Sequence, residues 1–307
     1  MHQGGKLIGI AVTLVFVAGP LLLGLTGLIA ARRAPADAAP DPAMPWNWKL
    51  IVTSALLYTL AFNVTFFIQE LFLVLPKALT PGLRPTLFHN NHGWEGDNPV
   101  ASLLQGTGAL AIFLTGIACA LLLRRGSGRS STIRLFLIWM TYNGFFQSLP
   151  QVIIGAIEPE NDVGMSMDYL HLGAAAKTAA AFVALATIPL VSLWLTRPLL
   201  SLAQDPAHIA GPRARTRFVF QVATLPALTA ILLIIPFRVP RHWVEVVMVP
   251  VVVTVIGIAW LQAGAWRASR ARVGSGLGAG SITYPLGAVL ILLLVFQLLL
   301  RPGVRFY

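Results

Sequence analysis

Long apolar runs dominate this chain, and their length is the one a bilayer dictates. The first, "KLIGIAVTLVFVAGPLLLGLTGLIA", covers residues 6–30. A helix rises about 1.5 Å per residue, so roughly 20 apolar residues cross the hydrocarbon core. No water satisfies backbone polar groups there, so such runs must be helical. Eight segments meet the requirement, near 6–30, 50–76, 100–123, 134–157, 168–196, 217–237, 242–263 and 282–300. The first is longer than the core of a secretory signal and ends in Arg32 and Arg33, a stop-transfer flank, so it reads as a span. The sixth and seventh are separated only by "PFRVPRHW" and read as a tight hairpin. The expected fold is an all-α, polytopic integral membrane helix bundle of about eight transmembrane helices, forming a single membrane domain over 1–307.

Charge supports this reading. Only 11% of the 307 residues are charged, against about 25% in a soluble domain. The net charge of +11 does not indicate nucleic acid, because the basic residues sit in short loops beside the apolar runs. Loops after spans one, three, five and seven hold fourteen Lys and Arg; those after two, four and six hold four. The positive-inside rule then places the basic loops in the cytoplasm and both termini outside, as in a bacterial-type cytoplasmic (cell) membrane. The lone cysteine, Cys119, excludes an intrachain disulfide and any CxxC site. Seven of the eleven acids fall between Glu70 and Asp168. Residues 50–196, with outer loops 77–99 and 158–167, are expected to form a polar-cavity half. Residues 217–307 are expected to be an apolar scaffold facing lipid or the partners of a membrane complex. The Pro/Ala-rich stretch 31–45 reads as a flexible cytoplasmic loop.

A few polar residues interrupt the spans. Glu70 lies about two turns below the outer end of span two, where a carboxylate is costly and marks a function or a buried partner. Gln69 precedes it, and Asn63 lies seven residues earlier on nearly the same face. In span four, Asn143, Gln147 and Gln151 recur every fourth residue as one polar stripe, with Pro150 inside it. Amides also glue membrane helices together. At the head of span five, Asp168 and His171 share a helix face, and Lys177 lies about two turns deeper. An intramembrane lysine requires an acid, so a Glu70–Lys177 ion pair is expected.

The segment "LFHNNHGWEGDNP" (87–99) admits three readings. His89 and His92, joined by Asp168 and His171, would supply nitrogen and oxygen ligands for a divalent metal such as zinc. The segment would alternatively form a binding rim, or an ordinary loop rich in turn formers. Trp94 suits the interfacial aromatic belt. "ENDVG" (160–164) lacks the ligand spacing of a calcium loop, and "VGSGLGAGS" (273–281) lacks a phosphate-binding lysine. His2, His208 and His242 occupy termini or loops, and Arg241 with Glu245 makes an i,i+4 pair.

"IQEL" in a membrane helix and the later "DVG" loosely resemble the layout of site-2-type intramembrane metalloproteases. Their H-E-x-x-H motif would need histidine where Gln69 and Leu73 stand, so their zinc chemistry is not implied here. Two classes of function remain. One is binding or transport of a small polar solute, lipid headgroup or proton in an outward-facing cavity. The other is a membrane-embedded hydrolase with Glu70 as catalytic general base. A third option is an accessory subunit whose polar residues only pack.

Overall fold

The computed structural model describes residues 3–32, 45–125, 130–268 and 281–307. Most of the 31–45 loop and nearly all of 273–281 lie outside the described residues, as does His2. In chain order the described elements are α1 (Gly4–Ala30), α2 (Trp48–Ala78), strands β1 (Arg84–Leu87) and β2 (His92–Glu95), then α3 (Val100–Arg125) and α4 (Ser131–Gly155). There follow the short α5 (Asp162–Tyr169), α6 (Ala174–Leu200), α7 (Pro212–Arg238), α8 (Val244–Arg267), α9 (Thr283–Leu300) and β3 (Val304–Arg305).

Among the described residues, seven helices are long and apolar enough to cross a membrane. The chain is thus a multi-pass helical membrane protein. The remaining long helix, α4, has 25 residues, enough to cross at helical rise. It is less apolar because it carries Thr141, Asn143, Gln147, Ser148 and Gln151. Four of these are buried in the bundle, and α4 is its central helix.

The long helices alternate in direction, so one end of the bundle collects the β-hairpin. Asn90 of that hairpin donates to the Arg238 carbonyl at the end of α7, and Gln297 of α9 donates to the Val239 carbonyl. The opposite end is tied by Arg134 donating to Ser201 Oγ and by Arg215 donating to the Trp266 carbonyl. The α1 helix runs alongside α8 in the same direction, with Trp260 and Trp266 donating to the carbonyls of Val15 and Leu23. The first and last described residues therefore lie at the hairpin end.

An aromatic core fixes the central helices. Tyr58, Trp139, Tyr142 and Phe146 are fully buried, with Tyr58 and Trp139 edge to face at 4.9 Å. Their polar atoms are all engaged, as burial demands. Trp139 Nε1 donates to Ser54 Oγ at 3.1 Å, and the Tyr142 hydroxyl bonds the Val253 and Thr254 carbonyls at 3.0 and 2.6 Å. These bonds lock α2, α4 and α8 together. Where α3 crosses α4, a Cβ on Gly144 would stand 2.7 Å from the Gly116 Cα, so the helices meet backbone to backbone.

Two local expectations are corrected. Span five does not begin as a continuous helix at 168. The α5 helix ends at Tyr169, and His171 takes φ 51, a left-handed cap. Leu172 N–H bonds the Met167 carbonyl and His171 N–H the Asp168 carbonyl, the double closure of a Schellman cap. Segment 87–99 is not an irregular loop either. Asn90 and Asn91 make the turn and Gly96 to Pro99 follow β2, while the flanks pair as β1 and β2 with Leu87 opposite His92 and Pro85 opposite Trp94. The sheet is completed on the other side of β1 by β3, some 200 residues away in sequence. That long-range pairing is why local turn content misjudged it.

Candidate functional site

Strand alternation orients the hairpin. His92 and Trp94 stand two apart, hence on one face, with their rings stacked at 6.0 Å. That face looks toward the end of α2, where Glu70, Lys77 and the head of α3 meet it. A cavity of about 620 Å³ opens there. Its polar wall includes Glu70, His92, Gln105, Gln151, Asp162 and Arg238. A larger cavity of about 960 Å³ lies between α1, α7 and α8, but its lining is mostly apolar. Chemistry converges on the smaller one.

The heart of the site is a relay through His92. Nδ1 lies 2.9 Å from Glu70 Oε2, and Nε2 lies 3.0 Å from Gln105 Oε1. Lys77 Nζ is 2.6 Å from the same Gln105 oxygen. An ammonium has only donors, so the Gln105 atom facing it must be the oxygen. The Gln105 amide NH₂ then donates to Asp162 Oδ1 at 3.0 Å. His92 Nε2 must in turn be a donor. The remaining proton lies on the axis between His92 Nδ1 and Glu70, whether written as imidazolium with carboxylate or as imidazole with carboxylic acid. The side chains of His92 and Glu70 are 9% and 7% exposed, so this shared proton is largely withdrawn from water.

The surroundings hold the relay in place. Lys77 is fully buried, donates to the Leu73 carbonyl at 2.8 Å and lies 4.8 Å over the Trp94 ring. Burial pushes the Asp162 carboxyl above its ordinary range; His92 and Lys77 pull it down, and Glu70 adds to the rise. Asn161 caps α5 through the Val163 N–H and Asp162 accepts from Gln105, so these two residues of 160–164 serve the helix start and the relay. Across the cavity Arg238 lies 4.4 Å over the Phe66 ring and donates through Nε to the Glu245 carbonyl. Arg241 pairs with Glu245, as the i,i+4 spacing implied.

The expected site residues divide. Gln69, Glu70, Gln147 and Gln151 line the cavity, with Gln151 donating to Gln69 Oε1 at 2.8 Å and Gln147 to Asn143 Oδ1 at 3.2 Å. Asn63 and Asn143 are fully buried outside its lining and bond back to the carbonyls of Thr59 and Trp139. Asp168 and Lys177 pair with each other, away from the cavity lining. The Glu70–Lys177 pair is therefore overturned: the Schellman cap resets the helix phase so that Lys177 meets Asp168, and Glu70 meets His92 instead. The four-ligand metal set is also not assembled. His89 faces the Val239 carbonyl at 3.2 Å, His92 faces Glu70, and His171 sits in the exposed cap. Among the described residues no three His, Cys, Asp or Glu side chains gather as metal ligands.

Sequence reasoning missed Gln105, Lys77, Asp162 and Arg238. Gln105 was readable as a lone amide at the head of span three. Lys77 and Arg238 were counted only as loop cations. The C-terminal half, expected as plain scaffold, supplies the wall from Arg238 to Val253. Comparison with family models, curated proteins and solved structures yields no match to this chain.

Proposed function

We propose that this membrane protein binds a small polar solute or the headgroup of a lipid in the hairpin-end cavity, and that binding is coupled to the proton shared by Glu70 and His92. The observation that carries the reading is the relay itself. Two carboxylates, an imidazole and an amide share the wall of one cavity within the 300–1,000 Å³ range of ligand sites, and a buried ammonium backs the amide from behind that wall. A ligand that hydrogen-bonds Glu70 or Gln105 must rearrange the protonation of this set. Such coupling suits a transporter or a binding protein.

The distribution of basic residues orients the bundle. The hairpin end carries eight of the 22 Lys and Arg, and only four of the eighteen that lie in loops between spans, so it is read as facing outward with both termini on that side. The pattern is that of a bacterial-type cytoplasmic membrane. The hydrolase reading is weaker on geometry. Glu70 is already engaged by His92, and among the described residues no Ser, Thr or Cys lines the cavity to act as nucleophile.

The test is thiol labelling. Cys119 is the sole cysteine and is buried, so a Cys119→Ala background is silent. Asn91→Cys, on the cavity lining, is expected to react with a membrane-impermeant maleimide in intact cells. Reaction only after permeabilisation would remove the outward-facing site.

A further inference from the structure

The cavity has a second wall, which is apolar. Met248, Val249 and Val252 of α8 and its leading turn line it on one side and Ile154 of α4 on the other. Met248, Val252 and Val255 are 42%, 40% and 43% exposed, and Ile154 is 40% exposed. The α8 residues follow i, i+4, i+7 spacing and form a single stripe. Val255 continues that stripe beyond the cavity, so the stripe is the outer flank of α8. The cavity therefore opens sideways between α4 and α8. Deeper in the bundle the same two helices are closed by the Tyr142 hydroxyl on the Val253 and Thr254 carbonyls. A polar pocket with an apolar side door is a poor fit to a wholly water-soluble solute.

The polar end also states a preference. Arg238 lines the cavity and is 5% exposed, yet its Nη1 has no hydrogen-bond partner among the described residues. A buried guanidinium N–H without an acceptor is costly. The cavity's three acids each have a nearer partner, Glu70 in His92, Asp162 in Gln105 and Glu245 in Arg241, so Glu70 and Glu245 act on Arg238 through space without a hydrogen bond to its Nη1. We infer that the ligand is an anionic amphiphile, its phosphate or carboxylate head on Arg238 and its apolar chain leaving between α4 and α8 into the bilayer. This rests on the cavity being the ligand site and adds the ligand's class.

The probes are phosphatidylglycerol, phosphatidylcholine and sn-glycerol 3-phosphate, each added to the full-length purified protein and read by native mass spectrometry. Wild type is expected to retain one phosphatidylglycerol per chain against excess phosphatidylcholine and to bind glycerol phosphate weakly. Arg238→Gln removes a charge-assisted contact, and the preference for the anionic lipid should fall about tenfold or more. Val252→Trp, at an exposed position that tolerates bulk, blocks the door and should lower phosphatidylglycerol occupancy similarly without shifting the unfolding temperature. If glycerol phosphate binds as tightly as phosphatidylglycerol and Val252→Trp changes nothing, the amphiphile is refuted while the cavity remains a ligand site. If no anionic probe is preferred, or Arg238→Gln leaves the preference intact in a folded variant, the anionic head is refuted. The labelling of Asn91→Cys tests the cavity's outward opening independently, and its protection by any of the three probes would keep the cavity as a ligand site.

Discussion

Removing the Glu70 carboxylate is the sharpest perturbation of the relay, and its cost can be worked from the contacts. Glu70 Oε2 sits 2.9 Å from His92 Nδ1, with both side chains under 10% exposed. In Glu70→Leu the imidazole sheds its Nδ1 proton and keeps the Nε2–H bond to Gln105. The loss is then one charge-assisted bond plus an unsatisfied ring nitrogen, about 2–3 kcal/mol. That is less than the roughly 3–5 kcal/mol of an orphaned buried charge, because histidine can neutralise itself. Glu70→Gln behaves differently. Its amide NH₂ donates to the deprotonated Nδ1, every polar atom keeps a partner, and the cost is about 1 kcal/mol or less. Thermal unfolding in detergent, followed by tryptophan fluorescence, reads both. At about 2 °C per kcal/mol for a chain of this size, Glu70→Leu should lower the midpoint by about 5 °C and Glu70→Gln by no more than about 2 °C. The double variant Glu70→Leu/His92→Leu should be less harmed than the sum of its parts, with a coupling of about 2 kcal/mol. If Glu70→Gln is as damaging as Glu70→Leu, or the two single effects add, the shared-proton argument is wrong.

Two further outcomes test the frame around the relay. Burial, chiefly, and the nearby arginines push the His89 imidazole below its ordinary value, against the Val239 carbonyl bond that favours the charged form. The unfolded chain therefore takes up this proton first on acidification, so the stabilisation is complete above about pH 6.5 and is lost as pH falls through the folded value. His89→Gln keeps a donor for Val239 without titrating, and its unfolding temperature should fall less steeply than wild type across that window; parallel pH profiles would refute the assignment. At the α3–α4 crossing, Gly144→Ala must push α3 away from α4, since the added Cβ meets the Gly116 backbone at 2.7 Å. It should cost about 1–3 kcal/mol, whereas Gly287→Ala, where nothing lies within 4 Å, should be neutral or slightly stabilising in the same unfolding assay.

Much of the fold was legible because the bilayer imposes a length and a polarity. Seven apolar helices announce themselves by hydropathy, and α4, the most polar, was found by the same count. What local pattern could not supply was anything built from distant pairing. The hairpin flanks "RPTL" and "HGWE" are four residues each, too short for a period-two signal, and the third strand comes from the opposite end of the chain. The break between α5 and α6 turned on a histidine in the left-handed region, a conformation that glycine or asparagine usually announces.

The site was half legible for a related reason. Intramembrane polarity singled out Glu70, Gln147 and Gln151, which line the cavity, and equally Asn63, Asn143 and Lys177, which do not, because the cost of burying a polar group does not depend on knowing its partner. Choosing the partner did depend on it. Lys177 looked right by depth, and His92 looked like a metal ligand by spacing. Depth and spacing carry no information on tertiary pairing, while the real contacts join α2 to β2, β2 to the head of α3, and α3 to the head of α5. Gln105 is the clearest case. An amide is the one side chain here that can accept from an ammonium and an imidazole on its oxygen while donating to a carboxylate from its nitrogen. A carboxylate in its place would crowd Asp162, and an apolar residue would strand Lys77, which is buried and among the described residues bonds Gln105 and one carbonyl. The amide therefore links the charge of Lys77 to the proton on Glu70 and His92. Any ligand competing for its oxygen would alter both.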